Sequence, residues 1–357
     1  MTDIVFTGGG SAGHVTPNIA IIDRLTGEGW RTAYIGSRDG IERALIEELR
    51  VPYYPIASGK LRRYFSWQNF TDPFRILFGV LQSLAILLRL RPKVVFSKGG
   101  FVSVPVVFAA WLCRIPVIGH ESDITPGLAN RLAFPFVRRI CVNFDETVQY
   151  LPPGKTVVTG SPVRESLLSG DRQAGLTMFG LSGDKPVLLV FGGSLGATSI
   201  NQAVRGALDA LPDFDVIHVT GAGLESAELS NRPGYVQRAF IGQGFGDVLA
   251  AADVVLSRAG ANSLYELLAA RKPHVLVPLP LSASRGDQID NARVFEAAGM
   301  SRVIPQEKLT PESLAEAVRE VYEDRAAISA KLATFERKDA VTLITGLIKD
   351  LAVGRPG

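Results

Sequence analysis

A glycine pentapeptide occurs twice in this chain, in the same setting both times. Gly9-Gly10-Ser11-Ala12-Gly13 follows the apolar run at 4–7, and Gly192-Gly193-Ser194-Leu195-Gly196 follows the run at 187–191. Each pentapeptide precedes an amphipathic stretch with helical spacing. A glycine turn between a buried strand and a helix lets backbone N–H groups approach a phosphate at the helix N-terminus. Two such turns, each opening one half of the chain, predict two Rossmann-like domains. The 357 residues suffice for two cores of ordinary size.

Short β-branched runs alternate with longer helical patterns throughout. Strands are predicted at 4–7, 32–35, 94–96, 117–119 and 157–159 in the first half, and at 187–191, 216–219, 254–256 and 274–277 in the second. This alternation reads as α/β, with parallel sheets covered on both faces. Gly160-Ser161-Pro162 breaks the pattern, so the predicted division is 1–160 for a first domain and 161–340 for a second. The helical stretch at 341–351 follows no strand, and residues 341–357 are expected to pack back onto the first domain.

Composition excludes several classes. A hydrophobic fraction of 46% with 20% charged residues describes a folded globular protein. A net charge of +3 gives no reason to expect nucleic acid as a partner. Cys113 and Cys141 lie in apolar strings and are too few for a disulfide framework, which favours a reducing cytoplasm. Met1-Thr2-Asp3 lacks the positive charge that opens a signal peptide. No segment reaches the roughly 18–20 uninterrupted apolar residues of a membrane span. The nearest, at 76–88, is broken by Gly79, Gln82 and Ser83. The protein is expected to be soluble, or to sit on a membrane without crossing it.

Gly8 to Gly13 formally satisfies the dinucleotide fingerprint, which also asks for an acid about 20 residues further on. Asp39 stands 26 residues after Gly13, beyond the second strand, so the fingerprint is incomplete. His14, one of four histidines with His120, His218 and His274, stands at the start of the helix that carries Pro17. A helix N-terminus disfavours imidazolium and leaves a neutral ring able to take a proton. His120-Glu121 lacks a second histidine at the spacing of a zinc protease motif. Asp213-Phe214-Asp215 mimics a D-x-D metal motif, but it follows Pro212 and reads better as a turn. No metal site is expected.

Taken in order, the motifs resemble the MurG family, peripheral membrane N-acetylglucosaminyltransferases that convert lipid I to lipid II in bacterial cell-wall synthesis. The resemblance runs through Gly9 to His14 with Pro17, Lys98-Gly99-Gly100-Phe101-Val102-Ser103, His120-Glu121, and Gly160-Ser161-Pro162-Val163-Arg164. It continues through Gly192-Gly193-Ser194 with Asn201-Gln202, Arg258-Ala259-Gly260-Ala261 leading to Glu266, and Asp287-Gln288 with Asn291-Ala292. It implies the glycosyltransferase-B fold, two Rossmann-like domains whose parallel sheets face a cleft, with acceptor on the first domain and UDP-sugar on the second. Glu266 is then expected at the ribose hydroxyls, where an acceptor-only carboxylate suits the task, and the backbone of Ile241 at the uracil edge. Ser11, Gly13, Asp123, Gly193, Ser194, Ala261, Asn262 and Ser263 would hold the donor, with Arg164 on the donor side and Gln288 at the sugar hydroxyls. Gly9, Gly10, Gly99 and Gly100 form the acceptor loops. The implied reaction is an inverting attack by the 4-hydroxyl of N-acetylmuramic acid on undecaprenyl diphosphate (lipid I), with UDP-N-acetylglucosamine (UDP-GlcNAc) as donor. His14 is the favoured base, and Glu121 and Asp123 are alternatives. Loop amides and helix N-termini would meet the charge on departing UDP, so no metal or other cofactor is required.

Two positions depart from the family pattern. The usual H-E-Q-N is His120-Glu121-Ser122-Asp123 here, placing a carboxylate at 123, and Leu195 stands where glutamine is frequent. Between 61 and 93 an excess of apolar residues, including Trp67, Phe74 and Phe78, is framed by Arg62, Arg63, Arg75 and Arg89. A patch rimmed by cations fits docking on anionic lipid, which would place the protein at the cytoplasmic face of the bacterial inner membrane. An NAD(P)-dependent oxidoreductase and a non-catalytic membrane-docked scaffold are the rival readings. The duplicated loop and missing acid argue against the first, and the presence of both His14 and Glu266 against the second.

Overall fold

The computed structural model of the protein describes residues 2–10, 12–59, 68–193 and 196–354. The chain divides into two compact units, Met1–Val163 with Lys338–Gly357, and Arg164–Arg337.

The first unit runs β1 (Ile4–Thr7), α1 (Thr16–Gly27), β2 (Thr32–Ser37), α2 (Ile41–Glu48), β3 (Tyr53–Ile56), α3 (Gln68–Leu90), β4 (Val94–Ser97), α4 (Ser103–Leu112), β5 (Val117–Glu121), α5 (Leu128–Ala133), β6 (Arg139–Val142) and β7 (Thr156–Val158). Its seven strands are parallel in the order β3-β2-β1-β4-β5-β6-β7. Successive residues of a strand point to opposite faces, so one short run feeds two cores. Ile4 and Phe6 join Ile21, Ile22 and Leu25 of α1, while Val5 joins Val80 and Leu87 of α3 and Val106, Val107 and Ala110 of α4.

The second unit runs α6 (Glu165–Leu168), α7 (Arg172–Met178), β8 (Val187–Phe191), α8 (Thr198–Ala207), β9 (Asp215–Val219), β10 (Tyr235–Arg238), α9 (Phe245–Ala251), β11 (Val254–Ser257), α10 (Ala261–Ala269), β12 (His274–Leu276), α11 (Asp287–Ala297), β13 (Arg302–Val303), α12 (Pro311–Glu323) and α13 (Arg325–Leu332). Its parallel order is β10-β9-β8-β11-β12-β13. Thr310 and Ser313 cap α12 reciprocally, with Pro311 in its first turn. The last helix, α14 (Ala340–Val353), returns to the first unit and sends Ala340, Ile344, Ile348 and Ala352 into the α1 side of that core.

Each sheet reverses its strand order once, between β1 and β4 and between β8 and β11. The glycine pentapeptides lead out of β1 and β8, so both lie at these reversals, beyond the carboxyl ends of the strands. That is where open α/β sheets bind ligands.

Candidate active site

In the first unit Thr7 pairs with Ser97, and Ser97 with Gly119. The loop from Gly8, the loop from Lys98 and the turn after Glu121 therefore emerge side by side. The two loops touch. Gly99 and Gly100 have φ of +96° and +83°. A Cβ at position 100 would meet the carbonyl of Gly9, and one at 99 would lie 2.7 Å from Asn130 Oδ1. Only glycine satisfies both the dihedral and the space.

A buried carboxylate supports the first loop. Glu42 Oε1 accepts from the Ser37 N–H at 3.0 Å and from the Ser37 hydroxyl, and Oε2 accepts from the Gly10 N–H at 3.3 Å. The Tyr34 hydroxyl donates to the Gly8 carbonyl at 2.8 Å and accepts from Asn18 Nδ2 at 3.1 Å. Burial holds the Tyr34 phenol well above its ordinary value, so it stays a donor. His14 ends the short 3-10 turn Ala12–His14 and thus precedes α1, which begins at Thr16. It is partly exposed, whereas His120, His218 and His274 are buried. His218 bonds Asn201 and Tyr235, and His274 bonds Ser301 and the Lys272 carbonyl. Burial draws these two rings down to about 3 and about 4, which marks them as neutral core residues.

A buried lysine supports the second loop. Lys98 donates its backbone N–H to the Thr7 carbonyl at 2.9 Å. Its Nζ lies 2.8 Å from His120 Nδ1 and donates to the Ser122 hydroxyl. Burial draws Lys98 down to about 7, against the pull of Glu121 and Asp123. Burial, reinforced by Lys98, also holds His120 well below its ordinary value, so the ring is neutral. Glu121 is enclosed. Oε1 accepts from the N–H groups of Ser122 at 2.9 Å and Asp123 at 3.0 Å, and Oε2 from the Gly127 N–H and Asn130 Nδ2, both at 2.9 Å. Burial and then the neighbouring Asp123 raise its pKa. Asp123 itself is partly exposed.

In the second unit Phe191 pairs with Ser257, which brings Gly192 beside Arg258. Gly193 has φ of +99°. The buried Arg258 guanidinium donates to Ser199 Oγ and the Val277 carbonyl, both at 3.0 Å, and so ties the start of α8 to the end of β12. Ala261, Asn262 and Ser263 form the first turn of α10, and Glu266 follows one turn later. Burial pushes the Glu266 carboxyl up to about 7, while Arg164 pulls it down. Gln288 Oε1 accepts from the Leu279 N–H at 3.1 Å, and its amide nitrogen lies against Gly260. Asn291 donates to the Ala259 carbonyl at 3.2 Å, fixing α11 beside the start of α10. Ile241 lies between β10 and α9, and Phe245, the first residue of α9, packs edge-on against Phe191 of β8.

The model of the glycosyltransferase family 28 N-terminal domain matches residues 4–142, and that of the C-terminal domain matches residues 187–344. A crystal structure of Acinetobacter baumannii MurG shares the fold with a TM-score of 0.77 and 24% identity, covering 98% of this chain and 100% of that one. The UDP-N-acetylglucosamine--N-acetylmuramyl-(pentapeptide) pyrophosphoryl-undecaprenol N-acetylglucosamine transferase of Lachnospira eligens is 51% identical over 351 residues, covering 98% of this chain and 99% of its own. This chain belongs to the MurG family of glycosyltransferases. The enzyme of the same name from Legionella pneumophila (strain Paris) is likewise 51% identical, over 98% of this chain and 97% of its own.

Within this MurG-family chain the expected residues fall into two groups. Gly9, Gly10, Gly13, His14, Gly99, Gly100, Glu121 and Asp123 gather at the strand reversal of the first unit. Gly193, Ala261, Asn262, Ser263, Glu266 and Gln288 gather at that of the second, with Arg164 within electrostatic reach of Glu266. Ser11, Ser194, Leu195, Arg62, Arg63 and Trp67 lie outside the described residues. Among the described residues no group of histidine, cysteine, aspartate and glutamate has the arrangement of a metal site. Asp213 lies in a turn, and Asp215 begins β9 beside Val187 at the start of β8, at the opposite end of the strands from the glycine loop. Sequence reasoning missed the roles of Glu42, Asn130 and Arg258, and quoted Lys98 only as part of a motif. Each acts through a partner distant in sequence, which leaves no local signal.

Proposed function

We propose that this chain transfers N-acetylglucosamine from UDP-GlcNAc to the 4-hydroxyl of N-acetylmuramic acid on undecaprenyl diphosphate (lipid I), with inversion at the anomeric carbon. End-to-end identity of 51% with transferases named for that substrate pair carries the reading. His14 is the general base. Of the four histidines, all among the described residues, it alone is partly exposed and so open to a substrate, and it takes the hydroxyl proton as the oxygen attacks the anomeric carbon. The breaking bond leaves its electron pair on UDP, and the amides around Gly13, Gly193 and Ala261 to Ser263, with the side chains of Ser11, Ser194 and Arg164, meet that charge. Glu266 accepts from the ribose hydroxyls, the backbone of Ile241 reads uracil, and Gln288 contacts the sugar. Glu121, with both oxygens already engaged, holds the turn at 121–127, which leaves Asp123 as the alternative proton acceptor.

The same reading places the protein on the cytoplasmic face of the plasma membrane. No helix among the described residues is long and apolar enough to cross a membrane. On α3, Phe74, Leu77, Phe78, Leu81 and Leu88 are exposed beside the exposed Arg75 and Arg89, an apolar surface with cations at its margin. Incubating the purified protein with radiolabelled UDP-GlcNAc and a lipid I analogue tests the function. Transfer of label to the lipid is the expected result, and label that stays on the nucleotide would sink the reading.

A further inference from the structure

Lys98 is an expensive residue to place where it is. An ammonium buried under a glycine loop loses its hydration, and a lysine in such a place is retained only with compensation. The compensation is local. Nζ contacts His120 Nδ1 at 2.8 Å and the Ser122 hydroxyl, while Glu121 and Asp123 both act electrostatically to favour its charge. The remaining ionisable groups that bear on this cluster are Cys141, whose thiol burial pushes up to about 12, and His14.

The second loop is also clamped mechanically to the turn that carries Asp123. Gly99 packs on the Asn130 side chain, which donates to both Glu121 Oε2 and the His120 carbonyl. Ser122, partly exposed, accepts from Lys98 and stands next to Asp123, whose carbonyl accepts from the Thr147 hydroxyl at 3.3 Å. We propose that Lys98 is a positioning residue for the transfer reaction: its buried amine, held against His120 and bonded to Ser122, fixes the turn after Glu121 and sets where Asp123 presents its carboxylate to the acceptor. This rests on the transferase reading and adds to it a residue that touches neither substrate.

The test is a mutant cycle read in steady-state kinetics, with thermal unfolding alongside. Wild type, Lys98→Met, Asp123→Asn and the double variant are compared with UDP-GlcNAc and a lipid I analogue. Lys98→Met should lower kcat/KM for the acceptor about tenfold and leave the donor KM within about twofold, and in the Asp123→Asn background the same change should cost less than about threefold. Equal losses in both backgrounds overturn the proposal, as does an unaltered acceptor kcat/KM in Lys98→Met. If Lys98→Met does not fold, Ser122→Ala carries the same cycle, because it removes only the hydroxyl between Lys98 and the turn. Wild-type protein that transfers nothing to the lipid removes the functional reading and this inference together. Active wild type with additive variants removes this inference alone.

Discussion

The carboxylate of Glu42 lies directly against Gly9, so close that a Cβ at position 9 would overlap it. The first glycine loop is therefore shaped from below by an acid on α2, which accepts from Gly10 and Ser37. Glu42→Ala should deprive these partly buried bonds of their acceptor and cost up to about 1–3 kcal/mol of stability. Glu42→Gln, which keeps the shape but turns one acceptor into a donor, should disturb the loop with a smaller loss. In both variants kcat should fall, because the loop that carries Gly13 and His14 loses its support. Urea unfolding and steady-state kinetics check this, and a variant with normal turnover would show that the loop does not need its support.

His14 is expected to serve the chemical step. His14→Ala should depress kcat by roughly 10²–10⁴, the range for a positioned general base, with little change in donor KM. Normal turnover with weakened acceptor binding would instead make His14 a ligand of the acceptor and move the base to Asp123.

Burial raises the Glu266 carboxyl to about 7. Donor affinity should therefore weaken as pH drops through that value, because a protonated carboxyl loses charge-assisted bonds worth about 1.5–3 kcal/mol each. The empty protein should show the opposite trend. A carboxyl raised above its unfolded value contributes stability at low pH that is lost as pH rises through about 7. Titration calorimetry of UDP against wild type and Glu266→Gln at pH 6 and pH 8 checks the first point. A pH dependence equal in both proteins would take Glu266 out of the ribose site.

The exposed face of α3 supplies a prediction about membranes. Arg75→Glu with Arg89→Glu should weaken binding to phosphatidylglycerol vesicles by about 1 kcal/mol or more per charge. Phe74→Ser with Leu81→Ser should weaken it further without lowering the melting temperature, since both side chains already face solvent. Co-sedimentation unchanged by all four substitutions would show that α3 is not the docking surface.

The βα alternation was legible because buried parallel strands must be apolar and β-branched. The strands that escaped it have physical excuses. β3 lies at a sheet edge and contains Pro55, β13 has only two residues, and β6 and β10 carry arginines at their ends. The glycine loops were visible because close approach at Gly9, Gly192 and Gly196 and a positive φ at Gly10 and Gly193 both call for glycine. Glu42, Lys98 and Arg258 were not visible, because what defines them is the partner each one finds. Glu42 reaches a loop 32 residues earlier, Lys98 a hydroxyl 24 residues later, and Arg258 a serine 59 residues earlier. Glu121 reads in sequence as a free acid beside a histidine, and only its four donors identify it as the organiser of a turn.

The return of α14 to the first unit has a consequence for how the protein is made. A ribosome produces residues 1–163 first, yet the layer that seals their α1 side, Ala340, Ile344, Ile348 and Ala352, emerges only after the whole second unit. The unit encoded later is contiguous and can close its core while the earlier one still shows a greasy flank to chaperones and proteases. A premature stop near codon 338 would therefore spare the half that is made last and condemn the half that is made first.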